Sequence, residues 1–416
     1  MAGKLIGIQI GNSEISMAQL AGASTKVVVR RMPENLIKDG QIISAELLAR
    51  FLKEMKKEGH FSGNASALVL PEMSTYFRTI EMPPMSEAQL KLNLPYEFRD
   101  YVGSESVNYF YDYAVDEIEV DEQGQPVSLR LFAAAAFKTV VAEYSDLFRR
   151  AGLKLKIAVP REMALITLLR YLEEQNGDKY AKEAAINEKE AAKAAKLAEK
   201  EAKKAAKLAE KERKKKLKEQ KNFPYDVVLP EDAETEKSEE AEGAEETGAE
   251  AAAANDTVSE TENRGKFRCI VDIGYEHTNV DIACDGRLTA SKVIDVGCQQ
   301  IDEAIAELYS SDVYLAASRR EANYENVLSE DVCKAVYERI ALEIMKAINF
   351  YRYENPSDDV DNVVFVGSGA AIDELTQEIT EYVQFERGSI DEVLPAGCAE
   401  LTDAYRAFIA FGLSLS

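Results

Sequence analysis

Val271-Asp272-Ile273-Gly274-Tyr275-Glu276-His277-Thr278-Asn279-Val280 is an apolar run that ends in Asp-x-Gly, crosses a polar turn and becomes apolar again. The chain continues through Asp281-Ile282-Ala283-Cys284-Asp285-Gly286-Arg287-Leu288 into Thr289-Ala290-Ser291-Lys292-Val293-Ile294. This pattern predicts three antiparallel strands joined by tight hairpins, since Asp285-Gly286 suits the turns that require positive φ. Asp272 then stands at a strand end beside Gly274. A backbone without a Cβ lets a phosphate approach there, and N–H groups can point at the anion.

The same plan occurs at the N-terminus. Leu5 to Ile10 runs into Gly11-Asn12-Ser13, then Ile15 to Leu20, then Gly22, then Lys26-Val27-Val28-Val29. Two copies of strand, glycine turn, strand, turn, strand, each followed by helical periodicity, predict a duplicated α/β unit with a ligand cleft between the halves.

At 416 residues, 46% of them apolar, the chain is long enough for two domains or one large bilobed fold. A net charge of −24 argues against general nucleic-acid binding, which needs Lys and Arg to neutralise phosphates. The N-terminus reads as neither a signal peptide nor a membrane span, and no later apolar stretch is long enough to cross a bilayer. The five cysteines lack CxxC spacing and His60 and His277 lie far apart, so the reading is buried reduced thiols in a cytosolic protein and no zinc site.

After the first strands, Ser44 to Glu58 carries Leu47, Leu48, Phe51 and Met55 at helical spacing, and Ala67 to Leu70 reads as a buried strand. A Tyr- and Pro-rich segment follows from about Glu72 to Gly124. Within it, Ser86 with Gln89 predicts a capping box opening a short helix that Pro95 should end, and Val107 to Tyr113 predicts a strand. Leu129 to Phe137 reads as a further strand, Lys138 to Arg150 as an amphipathic helix ending at Gly152, Leu153 to Val159 as a strand, and Met163 to Leu172 as a helix. The expected core includes Ile6, Ile8, Ile10, Val69, Ile157, Ile270, Ile273, Ile282, Val364 and Val366.

Residues 179 to 221 are almost entirely Ala, Lys and Glu, with Ala-Ala-Lys-Leu-Ala-Glu-Lys-Glu at 194 to 201 and again at 205 to 212. The composition predicts a long charged helix with too few large apolar residues for a coiled-coil seam. Glu231 to Arg264 has almost no bulky apolar residue and reads as a disordered acidic linker. Phe223 to Leu229 is a short apolar island between them, and Lys211 to Lys218 is locally basic.

The paired hairpins, with Val366-Gly367-Ser368-Gly369-Ala370 near the end, resemble the two phosphate loops and the adenosine loop of the actin-like ATPase superfamily. Within it, Ile80-Glu81-Met82-Pro83-Pro84-Met85-Ser86, Leu94-Pro95-Tyr96-Glu97-Phe98 and Ala341-Leu342-Glu343-Ile344-Met345-Lys346 resemble the PilM family of type IV pilus assembly. The resemblance spans most of the chain outside 176 to 265. It implies an α/β actin-like fold: a first lobe at 1–175 with a small subdomain inserted at about 71–128, the charged helix and linker at 176–265, and a second lobe at 266–416. In that family the small subdomain holds a short cytoplasmic peptide of the bitopic membrane protein PilN. The aromatic residues of 72–124 suit either a packed core or such a groove.

The resemblance also implies a site for ATP or ADP with Mg²⁺. Gly11, Asn12 and Ser13 fall in the first phosphate loop, and Asp272, Gly274 and Thr278 in the second, with Gly297 in the following turn. Gly367, Ser368 and Gly369 fall in the adenosine loop, and Glu343 and Lys346, three apart on one helical face, match contacts to ribose and adenine. Asp272 is the expected metal-positioning carboxylate. The first half departs from the pattern. Gln9 stands where the family has Asp, Ser16 where it has Lys, and Val159 and Arg161 where it has acids, with Glu162 adjacent to Arg161. No catalytic residue is therefore expected, and nucleotide binding should be weak or absent, with little hydrolysis.

The resulting expectation is a cytoplasmic scaffold, peripheral to the membrane through a PilN-like partner, that also meets other pilus assembly proteins and can self-associate. Two alternatives share the fold. A division protein resembling FtsA would usually end in a membrane-targeting amphipathic helix, whereas Phe408 to Ser416 reads as the fold's own last helix. A small-molecule kinase would need a catalytic acid at the cleft.

Overall fold

The computed structural model describes residues 5–20, 25–33, 36–38, 40–175, 267–358, 360 and 362–416. All of them lie in one compact unit, Met1–Gln175 with Gly265–Ser416; the other unit, Asn176–Arg264, lies outside the described residues, as do the expected charged helix, apolar island and acidic linker.

The N-terminal strands β1 (Ile6–Ile10), β2 (Glu14–Gln19) and β3 (Lys26–Arg31) form the expected antiparallel meander. A short hairpin, β4 (Ile37–Lys38) and β5 (Gln41–Ile42), leads to α1 (Ala45–Glu58), and β6 (Ala65–Val69) returns parallel to β1. Next come β7 (Thr75–Met82), α2 (Glu87–Glu97), α3 (Arg99–Val102), β8 (Tyr109–Val120) and β9 (Pro126–Phe137). Helix α4 (Lys138–Arg150), β10 (Lys154–Val159) and α5, residues 161–175, complete the first half.

The second half repeats the plan with β11 (Phe267–Ile273), β12 (Thr278–Cys284) and β13 (Arg287–Ile294). Then follow α6 (Cys298–Tyr309), α7 (Val313–Glu321), α8 (Asp331–Glu354), β14 (Asn362–Val366), α9 (Asp373–Val383), β15 (Glu386–Arg387) and α10 (Phe408–Leu415). The two five-stranded sheets have matching orders, β3-β2-β1-β6-β10 and β13-β12-β11-β14-β15. In both, the first strand of the meander pairs with a parallel strand that closes a helical crossover.

Strands β11 and β14 are central and buried on both faces, which explains their near-continuous apolar runs. One face of the second sheet packs on α6, α8 and α9 through Ile301, Ile344 and Ile379; one face of the first packs on α1 and α4 through Leu48 and Phe148. The inner core joins the halves: Ala164, Leu165 and Leu168 of α5 meet Ile270 and Val364 of the second sheet and Phe408 and Phe411 of α10. Helix α10 packs on β1, β2 and β6. The contacts are at backbone level. The space a Cβ would fill at Gly7 is taken by the Ala410 carbonyl, and that at Gly412 by the Ala164 carbonyl.

Ile6, Ile8, Ile270, Ile273, Ile282, Val364 and Val366 are buried as expected. Ile10, Val69 and Ile157 are only half-buried, because Ile10 and Val69 end their strands at the cleft and Ile157 lies on the edge strand β10. Cys269, Cys298, Cys333 and Cys398 are buried and Cys284 half-buried, all as free thiols.

The small sheet, β7-β9-β8, is separate. Leu129 to Phe137, read from sequence as a further strand beyond the insert, belongs to this sheet, so the insert runs on to Phe137. The reason is packing: Leu129, Leu131, Ala133 and Ala135 of β9 form one core with Leu90, Leu94 and Phe98. Helix α2 also continues two residues past Pro95, which sits in its last turn, where its missing N–H costs a single bond. The capping box is present, with Ser86 accepting from the Gln89 backbone and the Gln89 side chain accepting from Ser86 N at 2.9 Å. Ser86→Ala is expected to cost about 1 kcal/mol in urea denaturation, and an unchanged midpoint would show that α2 does not depend on its cap.

Candidate functional site

A cavity of about 550 Å³ opens between the halves, with the β1–β2 turn (Gly11, Asn12, Ser13) on one side and the β11–β12 turn (Gly274, Tyr275, Glu276, His277) on the other. Asp272, Gly367, Ser368 and Arg161 also line it. Each hairpin closes on itself, Gly11 N donating to Glu14 O and Gly274 N to His277 O, both at 2.9 Å. A second cavity of about 640 Å³ shares Asn12, Ser13, Tyr275, Ser368, Tyr405 and Arg406 and extends to Arg31, Tyr314, Arg320 and Asp373.

The remaining expected residues lie elsewhere. Thr278 is buried and donates to the Val296 carbonyl at 2.7 Å, a fold contact. Gly297 caps α6, and Gly369 is packed on Ile273; neither is among the residues lining the cavities. Glu343 and Lys346 pair with each other at 2.8 Å on the accessible side of α8, and they also do not line either cavity. Gly367 adopts φ +83°, which favours glycine, and the space beside it is filled by Asp272 Oδ1 and the Ile273 carbonyl. The first donors of α6 are likewise used internally, Cys298 N by Gly274 O at 3.1 Å and Gln299 N by Tyr275 O at 2.8 Å. The glycines and the helix start thus pack the loops against one another.

Electrostatics at the cleft centre on Arg161. Its Nη2 donates to Asp272 Oδ2 and to Asp281 Oδ2, both at 2.8 Å, and its Nε to Asp272 Oδ2 at 3.3 Å. Asp281 also accepts from Ser291 Oγ at 2.6 Å. The strand register explains the grouping. Asp272 pairs with Asn279 and Ile270 with Asp281, so both carboxylates stand diagonally on one face of β11 and β12. Arg161 begins α5, which shares a core with Ile270 of that face. Arg161 is 4% exposed and Asp281 fully buried. Burial opposes the charge of Arg161, but Asp281 and Asp272 outweigh it and hold the guanidinium above the ordinary arginine value.

Two further ties cross the cleft. Glu14 of β2 pairs with Arg406, and burial pushes the Glu14 carboxyl above its usual value against the pull of that arginine. Arg31 of β3 donates to Ser318 Oγ and the Tyr314 carbonyl, both at 2.9 Å, and lies 4.0 Å over the Tyr314 ring. The tyrosine beside the second hairpin, Tyr275, has its hydroxyl pushed up to about 12 by burial.

Asp272, expected to position Mg²⁺, is instead engaged by the guanidinium of Arg161. A divalent ion needs several hard oxygen ligands, and here the carboxylate that would supply them is shared with an internal cation. Among the described residues no group of three or more His, Cys, Asp or Glu side chains is arranged to hold a metal. The residues present do not fit Mg²⁺ at Asp272. The resemblance puts Arg161 where an acid is expected but does not single out Asp281. The signal was there: a charged residue between Val280 and Ile282, in the apolar run of a strand predicted to be central.

The comparisons agree with this architecture. Residues 246–394 match the family model of the type IV pilus assembly protein PilM. No curated protein matches the chain. Among solved structures, the fold is similar to the PilM-PilN type IV pilus biogenesis complex, at 16% identity over 99% of this chain and 98% of that chain, with a TM-score of 0.66. It is also similar to the ethanolamine utilization protein EutJ from Carboxydothermus hydrogenoformans, at 12% identity over 100% and 90% of the chains, TM-score 0.47. A Bacteroides thetaiotaomicron protein with an actin-like ATPase fold and unknown function matches at 7% identity over 92% and 90%, TM-score 0.35. Over residues 246–394 the chain matches the PilM family, and as a whole it shares the fold of the PilM-PilN complex, an actin-like fold.

Proposed function

We propose that this protein is a cytoplasmic scaffold of type IV pilus assembly, or of a related secretion or competence machine, that docks the cytoplasmic tail of a PilN-like membrane protein through its small subdomain. The observation that carries this reading is the full-length likeness to the PilM-PilN complex, together with the surface of the insert. Leu92, Tyr96, Val107 and Phe110 expose more than half of their area there, apolar surface of the kind that protein partners cover. Among the described residues no helix is long and apolar enough to cross a membrane, so membrane association in this reading comes through the partner.

The test is calorimetry with a synthetic peptide of the PilN-like tail. Binding to the full chain is expected, with affinity falling at least about tenfold in Leu92→Asp or Tyr96→Asp, since 1.4 kcal/mol of lost contact corresponds to that factor. No binding to the wild-type chain overturns the reading.

In the same reading a nucleotide, ATP or ADP, is a conformational ligand of the cleft and not a substrate. The phosphates lie between the two hairpins and the nucleoside in the second cavity beside Tyr275 and Tyr314. Binding is expected to be weak. After Asp272 and Glu14 are paired with Arg161 and Arg406, the lining keeps Glu72, Glu276 and Asp295, which repel a polyphosphate. Calorimetry with ADP should give a Kd near 1 mM, about 4 kcal/mol of binding, weakened further in Ser368→Glu. Steady-state release of phosphate from ATP that disappears in Asp272→Ala would overturn the non-catalytic reading.

A further inference from the structure

We infer that Arg161 is a built-in cation standing in the place of a divalent metal ion. The carboxylate pair Asp272 and Asp281 is thus a latent metal site closed by the chain's own guanidinium. The inference rests in one respect on the nucleotide reading above: a phosphate-bearing ligand of this cleft enters as the metal-free anion.

The argument begins with charge. Two carboxylates on one face of adjacent central strands, one fully buried and the other nearly so, repel each other and are costly to desolvate without a cation between them. Arg161 supplies that cation. One nitrogen, Nη2, is shared by an oxygen of each carboxylate at 2.8 Å, so both oxygens already converge on a single point. A hard divalent ion accepts the same convergence of carboxylate oxygens. The guanidinium differs in being tethered, because it starts α5, whose apolar side packs on Ile270 and Val364 of the second sheet. It cannot dissociate with a ligand or be removed by a chelator. Among the described residues the buried Nη1 atom of Arg161 has no hydrogen-bond partner, so two parallel bonds to one carboxylate have given way to a bridge between two. A bridging role accounts for that unmet donor better than simple neutralisation of Asp272 does.

The fold thereby keeps the connection between α5 and the second sheet closed whether or not anything occupies the cleft. In a metal-dependent site that connection would come and go with the ion. Here it is covalent to the chain.

The experiment is a Mn²⁺ titration followed by the electron paramagnetic resonance signal of the free ion and by thermal unfolding. Wild type, Arg161→Ala, and Arg161→Ala combined with Asp281→Asn are compared. Wild type is expected to leave Mn²⁺ free, while Arg161→Ala binds one ion at least about tenfold more tightly and is stabilised by it. The double variant should lose that gain. Arg161→Gln serves if the alanine variant fails to fold, and the wild-type titration decides if neither variant does. Binding of Mn²⁺ by wild type that Asp281→Asn removes overturns the inference. So does a folded Arg161→Ala that captures no ion.

A second arm measures ADP binding to wild type in Mg²⁺ and in EDTA. Equal affinity is expected, and a tenfold gain with Mg²⁺ overturns the metal-free entry of the ligand. An absence of ADP binding in both buffers overturns the nucleotide reading alone, because the Mn²⁺ arm still decides the role of Arg161.

Discussion

Arg161→Met is expected to destabilise the protein by about 3–5 kcal/mol, the range measured when one partner of a buried ionic cluster is removed. The magnitude comes from what is left behind. Asp281 is fully buried and Asp272 nearly so, and without the guanidinium the Asp281 carboxylate keeps, among the described residues, only its hydrogen bond from the Ser291 hydroxyl. Methionine fills much of the arginine's volume, so the loss isolates charge from packing. Urea denaturation at neutral pH provides the measurement. Adding Asp281→Asn to Arg161→Met should return part of the loss, since it removes one stranded charge, and the two changes should therefore fall well short of additivity. A cost for Arg161→Met below about 1 kcal/mol would place the cluster in the class of solvated surface pairs.

The other large effect is expected at Gly412. A glycine inside a helix normally gains about 1 kcal/mol on replacement by alanine, because alanine is the better helix former. Gly412→Ala should reverse that sign. The space a Cβ would fill is taken by the Ala164 carbonyl, and the next atoms, the Ala164 carbonyl carbon and Leu168 Cβ, lie at 2.8 and 3.3 Å. Neither α5 nor α10 can withdraw without opening the inner core that joins both sheets. Overpacking against backbone in such a place costs about 1–3 kcal/mol and occasionally more, so Gly412→Ala should fall in that range and Gly412→Val beyond it. A measured stabilisation of Gly412→Ala would mean that the two crossing helices are free to separate.

The two sites are related. Arg161 opens α5 on the cleft side of the crossing, and the Ala164–Gly412 contact lies one turn further along the same helix. Both hold α5 against the second half, one by charge and one by shape. In the proposed docking role such fixity is an advantage, because a preformed surface loses less entropy when it binds.

Much of the architecture was legible in the residues. The period-two alternation around Asp272-Ile273-Gly274 and around Gly11-Asn12-Ser13 marks two hairpins of one kind, because a strand buried on both faces can use only apolar residues and a tight turn needs glycine. The Ser86–Gln89 cap and the amphipathic α1 and α4 follow from local chemistry in the same way. Gln9 and Arg161 stand out as departures at positions where the resemblance implies acids, and that contrast predicts weakened metal positioning, while the pairing of Arg161 with Asp272 itself is visible only in the structure.

What tertiary structure decided is which distant residues share a point in space. Asp272 and Asp281 share a face of one predicted hairpin, but Arg161 reaches them only because α5 crosses to the second sheet. Gly7 and Gly412 look like any glycine in a strand or a helix until backbone from another element fills their missing side chains. Glu343 and Lys346 have the spacing of a ligand pair, yet the packing of α8 turns them toward each other and away from the cavities. Periodicity and turn chemistry are local properties and can be read along the chain. Convergence of charges and backbone-to-backbone approach depend on contacts between residues more than a hundred positions apart, which no local pattern encodes.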